Sequence, residues 1–177
     1  MARYAVLLRG INVGKAKRVG MADLRELLTA KGYRNVATLL QSGNVVLDTA
    51  QSADRLRRAI EQAFAERFGF GADVIVRRRE DIARVVARDP LRDVATDGSK
   101  YVVAFMAEPP TSPVDELLEG LDLGEDRYVV DGAEMYIWCP GGLRDSPLMA
   151  ALGKAKGGPS ATVRNWNTVQ KLHALMG

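Results

Sequence analysis

Apolar positions along this chain repeat with a period of two in some stretches and three to four in others, and the changes between them mark the elements. Residues 3–8 put Tyr4, Val6 and Leu8 on one face of a strand and Ala5 and Leu7 on the other. Both faces are apolar, which predicts a central strand. Met21, Leu24, Leu27 and Leu28 then recur at helical spacing, and Lys31-Gly32 supplies a glycine for a left-handed stop. Strands are predicted over 36–40 and 44–48, joined by a tight turn at Gln41-Ser42-Gly43. Ser52 caps a helix that turns Leu56, Ile60, Ala63 and Phe64 inward and ends at Phe68-Gly69. Residues 74–76 give a fourth strand.

A short helix over 81–87 follows, and then the pattern restarts. Residues 101–106 read as a strand. Ser112-Pro113 is expected to begin a helix as cap and first-turn proline, with Leu117, Leu118 and Leu121 as its inner stripe. Strands over 127–131 and 134–139 form a hairpin turning at Asp131-Gly132. Ser146-Pro147 starts a helix with Leu148, Met149 and Leu152 inward, broken by Gly157-Gly158-Pro159. A last short strand is read at 161–163, and a final helix from about Trp166 turns Val169, Leu172, Leu175 and Met176 to one side.

The order β-α-β-β-α-β therefore occurs twice, at roughly 1–78 and 99–164, without obvious identity between the copies. This predicts an α+β fold of two tandem ferredoxin-like subdomains packed as one body, with a C-terminal helix. The expected divisions are 1–88, a linker over 89–98 bracketed by Asp89-Pro90 and Asp97-Gly98-Ser99, and 99–177. Strand order 4-1-3-2 is expected in the first subdomain.

Composition adds exclusions. The 177 residues, 47% apolar and 27% charged, are those of a globule, and no apolar run approaches the ~20 residues of a membrane helix. The N-terminus enters a strand at once, without the build of a signal peptide. One cysteine, Cys139, excludes an internal disulfide and a multi-cysteine metal site, and its apolar strand predicts burial rather than nucleophilic work. With His173 the sole histidine, a Cys/His or Ser/His/Asp centre is hard to assemble. No metal and no cofactor is expected, and the cytoplasm is the expected compartment. Charge is uneven: 17 basic and 9 acidic side chains in 1–88, 3 and 12 in 89–143, and 5 and 1 in 144–177. Basic ends flank an acidic middle, as complementary parts of a fold or as an anion-binding surface built by both ends.

Three stretches carry candidate chemistry. Gly10-Ile11-Asn12-Val13-Gly14-Lys15-Ala16 is not a phosphate loop of the nucleotide-triphosphatases. It has three residues between its glycines instead of four, and alanine where Ser or Thr would hold magnesium. It keeps two glycines that let a ligand approach the backbone, and Lys15, Lys17 and Arg18 to attract an anion. In a β-α-β-β-α-β unit the turn at 41–43 lies at the same end of the sheet. That end gathers Arg9, Gly10, Asn12, Gly14 and Lys15 with Gln41, Ser42 and Asn44, as ligand-orienting groups or as plain turn residues. The third stretch is Arg164-Asn165-Trp166-Asn167, where Asn165 is a good helix cap. Trp166 has a ring fit for stacking on a base or for packing inside the fold.

At these residues the chain resembles the bacterial domain of unknown function (DUF) 1697 family. The matching pieces are Leu8-Arg9-Gly10-Ile11-Asn12-Val13-Gly14, Gln41-Ser42-Gly43-Asn44-Val45-Val46, and Arg164-Asn165-Trp166-Asn167-Thr168-Val169 with Lys171-Leu172. The resemblance implies two α+β subdomains in tandem and brings no established activity. Lys15 stands where a third glycine is usual, and Gly20 where a proline often opens the first helix.

Three functions compete. A non-catalytic module binding a phosphate-bearing metabolite or nucleotide is the leading expectation, because the polar stretches offer anion holders and hydrogen-bond donors but no evident general base. An enzyme acting on a small anionic metabolite is the second. Nucleic-acid (RNA) binding is the third, weakened because residues 45–47 carry none of the aromatics an RNA-recognition sheet uses. The three stretches are expected to converge, with Arg9, Asn12, Asn44 and Arg164 bordering one cleft.

Overall fold

The structure is a computed structural model that describes residues 1–155 and 157–177. Contacts divide the chain into two compact units, Met1–Arg84 with Lys171–Gly177 and Val85–Gln170.

Unit 1 is built on a four-stranded antiparallel sheet of β1 (Ala2–Arg9), β2 (Arg34–Leu39), β3 (Asn44–Thr49) and β4 (Asp73–Arg78). Its order is β2-β3-β1-β4, the order the sequence predicts. Tyr4 to Leu8 are all buried, as a central strand with two apolar faces requires. One face, with Tyr4, Val6, Leu8, Val45, Leu47 and Val74, forms a core with helices α1 (Met21–Ala30) and α2 (Ala53–Phe68). Those helices contribute Leu24, Leu28, Leu56, Ile60 and Phe64. Ser52 Oγ accepts from the Arg55 N–H at the start of α2, and Gly69 ends the helix at φ 78°. Arg3, on β1, pairs with Asp48 on β3 at 2.8 Å. The guanidinium beside it lowers the Asp48 carboxyl to about 2. Helix α3 (Arg79–Arg88) follows β4 directly, and Asp81 Oδ2 accepts from the Arg78 N–H at its start.

Unit 2 holds a second antiparallel sheet, of β5 (Tyr101–Met106), β6 (Arg127–Asp131), β7 (Glu134–Trp138) and β8 (Ala161–Asn165). Its order is β6-β7-β5-β8. The β6–β7 hairpin closes through Gly132-Ala133, with Gly132 at φ 61°, the pattern of a turn whose first central residue must be glycine. Val102, Ala104, Met106, Met135, Ile137, Cys139 and Leu148 form the core on one face. Helix α5 (Pro147–Lys154) has Ser146 as cap and a first-turn proline, as read from the sequence. Leu148 is buried there, while Met149 and Leu152 are half-buried against the same core.

Two readings need correction. Helix α4 (Val114–Leu117) is a single turn, and Pro113 precedes it in an extended conformation without side-chain capping from Ser112. Only Leu118 of the expected stripe is buried; Leu117 and Leu121 are exposed, because the chain leaves the helix and passes Gly120 at φ 77°. In helix α6 (Trp166–Met176), Val169, Leu172 and Met176 are buried but Leu175 faces solvent. Among the described residues no helix is long and apolar enough to cross a membrane.

Candidate functional site

Asn12 organises the connection from β1 to α1. Its main-chain N–H donates to Lys17 O at 2.8 Å. Its side-chain Oδ1 accepts from the Val19 N–H at 2.8 Å, and Nδ2 donates to Val19 O at 3.0 Å and to Gln41 O at 2.7 Å. One amide therefore closes the loop and ties it to the turn between β2 and β3. Asn12 sits at φ 53°, which asparagine tolerates better than other side chains bearing a Cβ. Ile11 and Val19 anchor the loop in the core, and everything between Val13 and Arg18 is exposed. Lys15, Lys17 and Arg18 thus stand in solvent on a pinned backbone, with Lys17 Nζ 6.0 Å from the Phe70 ring centre.

The turn at 40–43 is fitted against that loop. The Leu8 N–H donates to Gly43 O at 2.9 Å. Gly43 is at φ 89°, and a Cβ there would meet Ile11 Cδ1 at 2.8 Å and Leu8 Cβ at 3.0 Å, so any other residue is strained at this position. Asn44 is fully buried, with Nδ2 donating to Leu39 O at 2.8 Å and to Ser42 Oγ at 3.1 Å. Leu40 is held at φ 62° while half of it faces solvent. Five non-glycine residues have positive φ among the described residues, and three of them, Asn12, Lys17 and Leu40, lie in this loop and turn. Gly10 and Gly14 add two more positive φ values in the loop. Of these, Lys17 and Leu40 are the residues that adopt the left-handed region at a cost, and such positions occur at ligand-holding segments as well as in plain turns. Arg9, Gln41 and Ser42 are exposed at the same end. Residues 9–20 and 40–44 themselves contain cations and hydrogen-bond donors but no carboxylate, imidazole or thiol, while Asp73 of β4 stands opposite Arg9 in the ladder.

The third stretch belongs to unit 2, and its groups have partners there. Asn165 Oδ1 accepts from the Thr168 N–H at 2.9 Å, capping α6 as the sequence suggests. Trp166 is 7% exposed and packs its ring 4.8 Å from that of Tyr101 and 6.4 Å from that of Tyr136, which is the packing role and not base stacking. Arg164 is buried on β8, with Nη1 donating to Thr162 Oγ1 at 2.7 Å and to Val163 O at 3.0 Å; burial lowers its pKa to about 10. The Asn167 amide lies against Gly98, where a Cβ would collide with it.

Cys139 is fully buried, and burial raises its thiol pKa. Its Sγ donates to Ser146 Oγ at 3.2 Å, and Ser146 Oγ donates to Asp126 Oδ2 at 2.6 Å. Sequence reasoning missed this buried chain, because nothing in the spacing of the three residues announces it. Among the described residues no group of three or more His, Cys, Asp or Glu is placed to hold a metal ion.

The family model described as a protein of unknown function (DUF1697) matches residues 1–136, which include the whole loop-and-turn cluster. The chain belongs to the DUF1697 family. No curated protein matches it. Eight chains of solved structures do. One is the conserved bacterial protein SP0830 from Streptococcus pneumoniae, 26% identical, with a TM-score of 0.80 over 99% of each chain. The likeness of this DUF1697 member to that protein therefore runs through both units and not through the matched segment alone.

Proposed function

We propose that this DUF1697 chain is a non-catalytic binding module, and that the loop-and-turn end of unit 1 holds a small anionic ligand, a phosphate-bearing metabolite or nucleotide. The observation that carries the reading is the Asn12 clip: a loop fixed by three side-chain hydrogen bonds that presents Lys15, Lys17 and Arg18 to solvent. Arg9, Gln41 and Ser42 complete the ligand contacts, while Asn12, Gly43 and Asn44 hold the frame. Gly10 and Gly14 leave the backbone open to approach. Arg164, Asn165, Trp166 and Asn167 serve unit 2 in this reading. A single buried cysteine suits a reducing compartment, and we place the protein in the cytoplasm.

We also read the two units as copies of one ferredoxin-like pattern. The corresponding pairs Leu7–Asn44 and Phe105–Glu134 sit at the same place in their ladders. The Leu8 N–H bond to Gly43 O is matched by the Met106 N–H bond to Ala133 O. Ala5–Arg77 is matched by Val103–Arg164, and both arginines donate from Nη1 to the preceding carbonyl, at 3.1 and 3.0 Å.

The test is a thermal-shift titration with inorganic phosphate, nucleotides and phosphorylated metabolites, on wild type and on a Lys15→Ala/Lys17→Ala/Arg18→Ala variant. A ligand at a hundred times its Kd stabilises the wild type by about 2.7 kcal/mol and leaves the variant near its ligand-free Tm. No shift with any anion, or equal shifts in both proteins, refutes the reading. Affinity for RNA or DNA falling steeply with salt moves the function to nucleic-acid binding, since only a polyanion releases many counterions.

A further inference from the structure

Unit 2 has an open sheet edge beside a groove. β6 pairs with β7 on one side only. Its two-residue hairpin makes Asp131–Glu134 the closing hydrogen-bonded pair, so by alternation the main-chain groups of Val130 and Tyr128 point away from β7. Among the described residues no bond outside the ladder uses those groups. The proline-rich segment 109–115 and residues 128–130 of β6 together line an open groove of about 650 Å³. The Tyr128 hydroxyl donates to Asp115 Oδ1, which fixes one wall and pushes the tyrosine pKa up to about 12. Val130 lies on the edge, 37% exposed. Three prolines, Pro109, Pro110 and Pro113, make the opposite wall stiff, apolar and poor in N–H donors of its own.

The charge around this groove is mostly negative. Residues 107–134 carry nine Asp or Glu and a single Arg. Glu108 and Asp115 are exposed beside the groove, and Asp131 at the end of β6 is half-exposed, held by Arg88 at 3.2 Å. The charges of β6, Arg127 and Asp131, stand at its two ends, so its middle residues leave an open template for another chain. Its acidic surroundings repel a second acidic edge and favour a cationic one.

We propose that β6 accepts an extended basic peptide of another protein as an added strand. The peptide's main chain bonds to Tyr128 and Val130, its apolar side chains lie against the prolines and Val130, and its lysines or arginines face Glu108 and Asp115. A second copy of this chain does not fit the edge as well, because pairing β6 with another β6 would bring together two acidic borders.

The probe is a fluorescein-labelled peptide of alternating Val and Lys, about six residues long, the length of an ordinary strand. Fluorescence polarisation at low salt should show saturable binding that weakens as salt rises. Methylating the peptide's amides on the edge that faces β6 keeps its charge but removes the strand bonds, and should weaken binding at least about tenfold. Val130→Pro, which blocks the outward N–H, and Asp115→Lys should each have an effect of that size, with circular dichroism confirming the fold. The methylated peptide tests the idea on the unaltered protein, whatever the variants do to folding. Absence of saturable binding, equal affinity for the methylated peptide, or equal affinity for a Val/Glu peptide overturns the proposal. So does sedimentation showing a dimer that Val130→Pro dissociates, since the occupant is then a second copy.

Discussion

Replacing Asn12 with alanine removes three side-chain hydrogen bonds and leaves the new residue at φ 53°. Each bond contributes about 1 kcal/mol net, and water reaches this half-buried site, so the bonds together are worth about 2–3 kcal/mol. A Cβ in the left-handed region costs roughly 1 kcal/mol more once asparagine's local hydrogen bonding is gone. The sum is about 3–4 kcal/mol, a drop of about 6–15 °C in Tm for a chain of this size. Amide hydrogen exchange locates the loss. The Val19 N–H donates to Asn12 Oδ1 and should lose protection first, while the Leu8 N–H, which donates to Gly43 O, should keep more of its own. Phosphate affinity should fall as well, although Asn12 is not a ligand contact, because the lysines lose their platform. A cost below about 1 kcal/mol, or unchanged protection at Val19, would show that the loop holds its shape without the clip.

Four further outcomes are expected. Gly43→Ala should destabilise by about 2–4 kcal/mol in chemical denaturation, from the positive φ together with the collision with Ile11 and Leu8. Asp48 has its pKa lowered by Arg3 to about 2, so its contribution is full above the unfolded value near 4 and is lost as pH falls from there through 2; Asp48→Asn should flatten the stability curve in that window and leave it unchanged in shape at neutral pH. Trp166→Ala should cost about 3–5 kcal/mol by opening a cavity beside Tyr101 and Tyr136, measured by the denaturation midpoint. Cys139→Ala and His173→Gln should leave phosphate affinity within about twofold by titration, since neither belongs to the loop-and-turn cluster and each affinity change would be under about 0.4 kcal/mol.

The fold was legible where one local signal had one meaning. Alternation with two apolar faces placed β1 at the centre of its sheet, and Ser146 followed by Pro147 placed the start of α5. Leu117, Leu118 and Leu121 misled because helical spacing is also met by a single turn followed by a bend, and only Gly120 in its positive-φ state distinguishes the two. Asn12 was visible as a residue suited to a loop, but its partners lie at Val19 and Gln41, and no sequence pattern states which carbonyl an amide will find. Trp166 carried an ambiguity of the same kind, and the rings of Tyr101 and Tyr136 resolve it. The edge beside Pro109–Pro113 left no trace in the periodicity, because openness depends on which strand has no neighbour.

Unit 1 is discontinuous: Lys171–Gly177 belongs with Met1–Arg84, and Leu172 and Met176 are fully buried. Met176 O accepts from Arg3 Nη1 at 3.2 Å, tying the end of α6 to the first strand. On a ribosome, the sheet of unit 1 emerges early but cannot finish its packing until all of unit 2 has been synthesised. Released at residue 84, the same sequence would be an unfinished nascent chain, its Arg3 still waiting for the Met176 carbonyl.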